Sequence, residues 1–525
     1  MSVSLLHLLG SSNPGGGSFT TIKPVAYEFR LQSSTSLDAS NQALTPAKVI
    51  ADDQGNVYGV TNFEYFKVSK FGYIAWVKNI PSIYTTGLTT QNKFQNIAIS
   101  PSGGYLVVIG EGGDEGSAAA GSEIIASHIN VNNGDTIKHY KVKDSTVPES
   151  NRIAVASDVT VDDSGICNVV GNLYRIYDDP YNEFCRLVID LTTETIITAI
   201  GDTNGTYMEG WKDLDSNGTK IIMGGLDSQN VQAGFQTHNW TLAEYNTGTN
   251  DWSKTWQSYN GNGVVGYGVC ITNDATPKIF AGYGDQPLQQ SGIMELSYTT
   301  GSPTEYINIH YNSSDRDDLY IQNLTTDGTN VYFSGYGYNS IIAGESVPFV
   351  GCMDIATKTI QWANTLIRTS SYSYQLITKI KYNNGSGKLN VSGSANPSGD
   401  GTHTAFILEL PTDGTGTGKY GSYAYEPVNL IKSTGTSSWY SGSPALSTYS
   451  STSIVAGGSE SDSSDVISWQ LNSDYGHDEF IIPGTYDWKC PAGVTSVCVA
   501  AVGAGGSGTA DNGPGGGGGG PGGGK

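Results

Sequence analysis

The chain has 525 residues, of which 37% are hydrophobic and 14% are charged, and its formal net charge is −22. Its 32 Tyr, 13 Phe and 9 Trp exclude a disordered chain, because disordered sequences are poor in aromatic residues. The negative charge disfavours binding to nucleic acid and to anionic membrane surfaces. Many β-branched and aromatic residues between turn formers predict an all-β protein.

Residues 1–25 are predicted to form an N-terminal arm outside the folded body. They begin MSVSLLHLLG, which lacks the basic region of a signal peptide and has only a short apolar run. No stretch of the sequence has the length and apolarity of a membrane-spanning helix. The arm is interpreted either as an attachment segment or as a frayed end.

A turn-and-strand motif then recurs along the chain, and its clearest copy is TTDGTNVYFSGYGYN at Thr325–Asn339. Each copy has a turn of Asp, Asn, Gly or Ser, then four or five alternating strand residues, then a glycine. Successive copies lie 51 to 64 residues apart. The glycines that close the eight copies are Gly59, Gly110, Gly171, Gly224, Gly282, Gly335, Gly393 and Gly457.

Each repeat also contains an apolar strand before the turn and two further strands after it. Four antiparallel strands in each unit are typical of a β-propeller blade, whose apolar faces are buried only when blades pack in a closed ring. We therefore predict about eight four-stranded blades over residues 26–475; seven remain open if one copy is degenerate. The strand-like segment Ala26–Ser33 is predicted to complete the last blade. A parallel β-helix is disfavoured, because its coils are shorter.

The predicted blades have unequal ends. Turns between the first two and the last two strands are short, whereas segments such as Leu226–Trp240 and Tyr336–Phe349 are predicted to be long loops on the opposite face. Because function concentrates on irregular loops held by a scaffold, we predict that the long-loop face binds partners. The candidate binding residues are Tyr174, Tyr177, Tyr181, Trp240, Tyr283, Tyr336 and Tyr338.

The best metal candidate is DLDSNGT at Asp213–Thr219, which resembles the opening of a calcium-binding loop. Asp213, Asp215 and Asn217 would supply its first ligands. Ile221 and Gly224 occupy the later ligand positions, so an ordinary Asx turn is the favoured interpretation. No other cofactor is predicted.

No sequence motif of a hydrolase nucleophile, a phosphate-binding loop or a zinc site is present. Paired acids occur at Asp114–Glu115, Asp178–Asp179 and Asp315–Asp318, and carboxylate pairs can cleave glycosides when they face one another. Adjacent acids in glycine-rich loops are more typical of solvated surface. We therefore predict that the protein is not an enzyme.

Six cysteines do not make a disulfide framework in a chain of this length. Sequence spacing allows Cys167 to pair with Cys185, and Cys490 to pair with Cys498. Reduced, buried thiols are the favoured interpretation.

From Phe480 the composition changes, and residues 480–525 are predicted to form a separate glycine-rich β module. Pro483–Tyr486, Trp488, Cys490–Val497 and the glycine run from Gly503 carry its distinctive sequence. This segment closely resembles the glycine-rich C-terminal domain of tailed-phage virion proteins, especially tail-fibre-like proteins of marine and cyanobacterial phages. In that family further strands normally follow the glycine run, so a truncated C-terminus is an open alternative.

This resemblance implies a structural protein of the virion, made in the host cytoplasm and acting in a tail fibre or adsorption apparatus. Its expected partners are other virion proteins and a glycan or protein on the host surface, and self-association is expected. A secreted bacterial propeller that binds or cleaves carbohydrate is the alternative. A purely architectural spacer is a third possibility.

Overall fold

Regular structure in the described part of the chain consists entirely of β-strands. Contacts divide the chain into two compact units, Met1–His477 and Asp478–Lys525. The structure is a computed structural model, and it describes residues 2–3, 25–29, 48–60, 64–69, 74–79, 94–113, 122–142, 152–175, 182–203, 208–232, 235–246, 249–257, 268–285, 290–311, 318–338, 346–368, 375–395, 404–415, 417–420, 423–428, 430–434, 440–442, 447–449, 454–456, 470–471, 501–502 and 521–522.

The described residues of the larger unit form seven antiparallel sheets, each built on four strands. Two short strands near the N-terminus are β1 (Ser2–Val3) and β2 (Val25–Phe29). Sheets one to six each use four consecutive strands, and sheet seven uses three consecutive strands together with β2.

The strands of sheets one to three are β3 (Lys48–Ala51), β4 (Val57–Val60), β5 (Glu64–Val68), β6 (Ile74–Asn79); β7 (Phe94–Ile99), β8 (Leu106–Gly113), β9 (Ser122–Ile129), β10 (Thr136–Val142); and β11 (Arg152–Val161), β12 (Ile166–Arg175), β13 (Asn182–Asp190), β14 (Thr195–Thr203). The strands of sheets four to seven are β15 (Met208–Ser216), β16 (Lys220–Gln232), β17 (Phe235–Asn246), β18 (Thr249–Gln257); β19 (Val269–Ile271), β20 (Ile279–Asp285), β21 (Gln290–Leu296), β22 (Pro303–Tyr311); β23 (Asp318–Thr326), β24 (Asn330–Tyr338), β25 (Ser346–Asp354), β26 (Ile360–Arg368); and β27 (Gln375–Asn383), β28 (Lys388–Ala395), β29 (Thr404–Pro411).

The first strands of the sheets form a closed circle. Each packs beside the first strand of the next sheet, from β3 through β7, β11, β15, β19 and β23 to β27, and β27 packs beside β3. The larger unit is therefore a β-propeller, with the first strands innermost. Strand β2 lies at the outer edge of sheet seven, where Val25 pairs with Glu409 and Phe29 pairs with Ala405.

The N-terminal strand supplies the fourth strand of the last sheet, in keeping with the sequence prediction. That sheet is the seventh, however, and the described residues contain no eighth four-stranded sheet. The eighth motif copy, Tyr449–Gly458, instead contributes strands of about three residues to the edges of existing sheets. Its turn formers and alternating residues resemble the other copies, but strands this short cannot form an independent sheet.

The short strands that follow β29 run backwards around the propeller. After β30 (Gly418–Tyr420), which pairs with β31, each successive strand adds to the outer strand of one sheet, in the order six, five, four, three, two. These strands are β31 (Tyr423–Pro427), β32 (Leu430–Thr434), β33 (Tyr440–Gly442), β34 (Ser447–Tyr449) and β35 (Ile454–Ala456). The final strand of this unit, β36 (Gln470–Leu471), pairs in parallel with β1.

The hydrophobic core lies between neighbouring sheets, as propeller packing requires. Val107 and Ile109 of sheet two meet Val159 and Val169 of sheet three in one buried cluster. Comparable clusters join sheets one and two, four and five, five and six, and six and seven. At these five interfaces, neighbouring sheets therefore bury apolar faces against one another.

Two of the glycines that close the sequence motif allow backbone to approach closely. A methyl group on Gly335 would overlap the carbonyl oxygen of Tyr320 on the paired strand. A methyl group on Gly282 of sheet five would lie 2.8 Å from the carbonyl oxygen of Ile321 in sheet six. The recurring glycine therefore has a packing cause at these positions.

Several predicted long loops are shorter than the sequence suggested. Most of Leu226–Trp240 belongs to β16 and β17, which pair as far as Gln232 and Phe235. Likewise, Tyr336–Tyr338 belongs to β24 and Ser346–Phe349 to β25. Alternating polar and aromatic residues extend these hairpins beyond the closing glycines.

In the smaller unit, β37 (Ala501–Val502) pairs antiparallel with β38 (Pro521–Gly522). Strand β37 overlaps the second strand predicted for the glycine-rich module. The first predicted strand, Thr485–Cys490, lies outside the described residues.

Candidate functional site: the axis and the two ends of the propeller

The short-turn end of the propeller carries the turn between the first and second strands of each sheet. In sheet one, Oδ1 of Asp52 accepts hydrogen bonds from the backbone N–H groups of Gln54 (3.0 Å) and Asn56 (2.8 Å). Oδ2 of Asp52 accepts from the hydroxyl of Tyr58 at 3.0 Å. The residues of the motif thus form hydrogen bonds with one another, which explains why Asp, Asn and Tyr recur in it.

Sheet six repeats this arrangement. Asp327 Oδ1 accepts from the backbone N–H groups of Thr329 and Asn330, and Asp327 Oδ2 accepts from the Tyr332 hydroxyl at 2.7 Å. Burial would raise the pKa of Asp327, but these hydrogen bonds lower it below its ordinary value. The carboxylate is therefore used as a structural acceptor.

The same turns bind one another around the axis. The backbone N–H of Asp53 donates to the carbonyl oxygen of Pro101, and the Asn383 side-chain amide donates to the carbonyl oxygen of Asp52 at 2.8 Å. The backbone N–H of Ser102 donates to Asp163 Oδ1 at 2.8 Å. Adjacent sheets are thus joined at this end by polar contacts as well as by the core.

Tryptophans on two fourth strands reinforce these neighbour contacts. The indole N–H of Trp76 donates to the carbonyl oxygen of Val131 at 3.2 Å, and that of Trp362 donates to Thr412 at 2.8 Å. Each indole covers a turn glycine of the adjacent sheet, Gly134 or Gly414, both of which have positive φ. A side chain at either glycine would strain the backbone and overlap the indole.

The axis is organised by one position in each first strand, four residues before the first turn residue. Most of these positions follow a register shift, and such bulges redirect side chains. Their residues, in sheet order, are Lys48, Asn96, Asp158, Asp213, Gly268, Asn323 and Lys379. We call them the axial positions.

Axial side chains bond to the next sheet along the circle. Asp158 Oδ2 accepts from the backbone N–H of Leu214, and Asp213 Oδ2 accepts from that of Val269, both at 2.9 Å. The Asn96 side-chain amide donates to Asp158. The innermost strands, which do not pair as a sheet with one another, are thus joined by side chain to backbone bonds.

Lys379 makes a different contact, because it reaches sheets that are not its neighbours. Its Nζ lies 2.6 Å from Asp213 Oδ1 and 2.8 Å from Asp158 Oδ2. Strand β27 carries Lys379, whereas β15 and β11 carry the acids, and each acid strand lies three places from β27 around a circle of seven. The ion pairs therefore cross the axis.

A second cross-axis pair lies two residues further along the same strands. Lys381 Nζ lies 3.0 Å from Asp215 Oδ1, and Asp215 Oδ2 accepts from the backbone N–H of Ile271 at 3.0 Å. Both Asp213 and Asp215 are buried. Carboxylates in such surroundings need cationic partners and hydrogen bonds.

The pKa values of Asp158, Asp213 and Lys379 depend on one another, because the three charged groups are in contact. Burial would raise the pKa of Asp158, but Lys379 and Lys48 lower it. Burial and the neighbouring Asp158 carboxylate raise the pKa of Asp213, against the opposing effect of Lys379. Burial would lower the pKa of Lys379, but Asp158 and Asp213 raise it above its ordinary value.

The weak calcium candidates in Asp213–Thr219 have other contacts in the structure, and Asn217 makes the Asx turn that the sequence favoured. Asp213 and Asp215 bind lysines at the axis, whereas Asn217 lies in the turn and accepts from the backbone N–H groups of Thr219 and Lys220. Strand β15 ends at Ser216, so Asp213 and Asp215 lie on the strand and Asn217 lies in the turn that follows it. Over the residues described, no group of three His, Cys, Asp or Glu side chains could hold a metal ion.

The predicted binding aromatics have different positions. Tyr283 is buried, and its hydroxyl donates to Asn308, so it is a core residue. Tyr336 is partly exposed near the long-loop end and stacks on Tyr320 with ring centroids 4.8 Å apart. The remaining candidates are not described to their side chains: Tyr174, Trp240 and Tyr338 are strand residues whose side chains lie outside the described part, and Tyr177 and Tyr181 lie outside it altogether.

The paired acids of the glycosidase alternative also lie outside the described residues, except Asp318, the first residue of β23.

Cys167, Cys270 and Cys352 are free and buried. Cys185 pairs with Gly171 in the sheet register, four residues from Cys167, which is about 13 Å along a strand and too far for a disulfide. Cys490 and Cys498 lie outside the described residues.

Sequence reasoning missed the lysines at the axis. The available signal was positional: Asp158, Asp213 and Lys379 each lie four residues before the turn residue of their repeat. Their differing chemical types concealed this shared position.

In the residues that the structure describes, no helix is long and apolar enough to cross a membrane.

No protein-family model and no curated protein matches the sequence. Among solved structures, the Dos1 propeller is 11% identical, covers 78% of this chain and 88% of its own, and has a TM-score of 0.41. The β-propeller domain of the trilobed protease from Pyrococcus furiosus, which has an open velcro topology, is 11% identical over 76% of this chain and 92% of its own, with a TM-score of 0.36. The WD40 domain of SCAP from fission yeast is 9% identical over 77% of this chain and 96% of its own, with a TM-score of 0.33. The propeller assignment here rests on the strand pairing and on the closed circle of first strands.

Proposed function

We propose that this chain is a non-enzymatic binding component of a phage particle, located in the tail fibre or the adsorption apparatus. The observation that carries the binding role is the unequal construction of the two ends. At the short-turn end, polar groups of the described turns form hydrogen bonds within the same turn and with adjacent turns. The groups that make these bonds already have partners within the propeller.

The opposite end receives the connections from second to third strands and from one sheet to the next. The longest of these connections are residues 30–47, 80–93, 143–151 and 258–268. A rigid propeller that presents variable connections on one face is suited to binding a partner. The proposed partners are a glycan or protein of the host surface and other proteins of the particle.

The phage assignment is supported by the C-terminal sequence from Phe480, whose Pro-Gly-Thr-Tyr entry and glycine run resemble virion proteins. Self-association through this part of the particle is included in the proposal. Immunogold labelling of the phage that encodes the chain tests this location. Gold at the tail is expected, and particles that lack the protein would contradict the assignment.

Binding by the long-loop face is tested with the purified full chain on host cells and on a glycan array. Tyr336→Ala removes a partly exposed ring near that face, and Tyr298→Ala removes a partly exposed ring at the short-turn end. We expect Tyr336→Ala to weaken binding about tenfold, because a stacked aromatic contributes about 1–3 kcal/mol. Binding lost equally in both variants would contradict the choice of face, and glycan cleavage would contradict the non-enzymatic role.

A further inference from the structure

Sheet seven, where the two ends of the propeller sequence meet, contains strand β2 at one edge and both Lys379 and Lys381 on strand β27 at the other. Strand β2 pairs with β29 through five residues at the outer edge of that sheet. Residues 30–47 connect it to β3. A short edge strand with pairing on one side is the kind of element that opens locally at low cost.

Strand β27, at the inner edge of the same sheet, has contacts on both sides that do not involve β2. Towards sheet six, the backbone N–H of Tyr382 donates to Thr325 Oγ1 at 3.1 Å. Towards sheet one, Asn383 donates to the carbonyl oxygen of Asp52, and the backbone N–H of Gly385 donates to Asp53 Oδ1 at 3.2 Å. The inner part of the junction is therefore bonded to both neighbouring sheets.

The cross-axis ion pairs add a third set of contacts. Lys379 and Lys381 tie β27 to Asp158, Asp213 and Asp215 on the far side of the circle. Moving β27 outward would separate these charges and leave the buried carboxylates of Asp213 and Asp215 without the cations that they contact. Removing one partner of a buried ion pair is strongly destabilising, because the remaining charge is uncompensated.

We propose that Lys379 and Lys381 form a clamp across the axis that keeps the propeller closed, so that β2 can detach from sheet seven without opening the ring. The N-terminal strand is then a removable edge strand. Closure depends instead on the inner strands β27 and β3, their turns and the cross-axis charges.

Hydrogen–deuterium exchange of the full chain, measured by mass spectrometry, tests the clamp without requiring any variant to fold. We expect amides of β2 and the facing amides of β29 to exchange at least 100-fold faster than those of β27 and β3. Equal rates in all four strands would overturn the proposal, because the ring would then open whenever β2 leaves.

Substitutions provide the second test. Lys379→Met removes the clamp, and we expect exchange in β27 and β3 to accelerate on the order of 100-fold, towards the rate of β2. Lys379→Arg retains the cation and should preserve most of the protection. The matched control is Lys78→Met, which removes an ion pair with Asp135 between neighbouring sheets at the surface and should leave β27 unchanged.

Lys381→Met is the milder variant, because Lys381 is more exposed than Lys379. It should accelerate exchange in β27 by a smaller factor than Lys379→Met while leaving the remaining sheets protected. Unchanged β27 protection in folded Lys379→Met or Lys381→Met protein would overturn the clamp.

Discussion

Neighbouring sheets and opposite sheets of this propeller are joined by different chemistry. Neighbours share apolar clusters and contacts such as that of Trp76 with the turn of sheet two. Opposite sheets are joined at the axis by ion pairs of Lys379 and Lys381. Neighbour contacts recur from sheet to sheet, whereas the described cross-axis pairs all involve lysines of a single strand, β27. This difference determines how each kind of contact should respond to mutation, salt and pH.

The largest effect is expected where an aromatic ring joins neighbours. Trp76→Ala should reduce the free energy of unfolding by about 3–5 kcal/mol, because it removes a buried ring that packs over Gly134. Chemical denaturation of the full chain measures the change. Trp76→Phe retains a ring but loses the bond to Val131, so its cost should be clearly smaller; equal costs would mean that packing is not the main contribution.

The next effect concerns the close approach of sheets five and six. Gly282→Ala should cost about 1–3 kcal/mol, since the new methyl group meets backbone of Ile321 that cannot rotate away. Gly328→Ala is the matched control, because Gly328 has open space around it and only its φ of +87° opposes a side chain. The control should cost about 1 kcal/mol. A control that costs more than Gly282→Ala would contradict this account of the closing glycine.

Glu111 is a buried carboxyl group with a neutral hydrogen-bond partner, so its effect on stability should differ from that of the acids paired with lysines at the axis. The neutral side-chain amide of Gln95 donates a hydrogen bond to Glu111, and burial raises the pKa of Glu111 to about 8 despite that bond. Between pH 4.5 and 8 the unfolded chain loses this proton and the folded chain keeps it. Stability should therefore fall as pH rises through that window.

Glu111→Gln should remove this pH dependence. The variant should gain on the order of 2 kcal/mol relative to the native chain at pH 8 and little at pH 4, as measured by thermal unfolding at each pH. A native chain whose stability relative to the variant rises with pH would show that Glu111 is ionised when folded.

The smallest effect is expected for Asp215→Asn, which keeps an acceptor for the Ile271 N–H but removes the charge that pairs with Lys381. Because Lys381 is partly exposed, the loss should be about 1 kcal/mol and should shrink in high salt. Denaturation of both proteins at low and high salt measures it. The cost of Trp76→Ala should not change with salt, so similar salt dependence in the two variants would break the distinction between neighbour and cross-axis contacts.

The recurring contacts explain why much of the fold could be predicted. Asp52 and Asp327 are followed by the same Asn and Tyr, since each turn satisfies its own polar groups. Gly282 and Gly335 recur because backbone passes close to them. Local causes of this kind leave a repeated pattern in the sequence, and they predicted four-stranded sheets.

The features that could not be predicted from the sequence depend on contacts between residues that are far apart in the chain. Lys379 and Asp158 meet only because the ring closes, and their positions in the repeat hold Asn in two other sheets. The copy at Tyr449–Gly458 has the local pattern of a sheet, but its strands lie at the edges of other sheets. The alternating Tyr and Gly residues from Tyr336 to Tyr338 gave no local signal of whether β24 continues or a loop begins.

The most direct test of this account is single-particle electron cryomicroscopy of the full chain at a resolution that separates strands. We predict seven four-stranded sheets around one axis, with β27 beside β3 and density for Lys379 crossing to Asp158 and Asp213. Eight sheets, or a gap between β27 and β3, would contradict it.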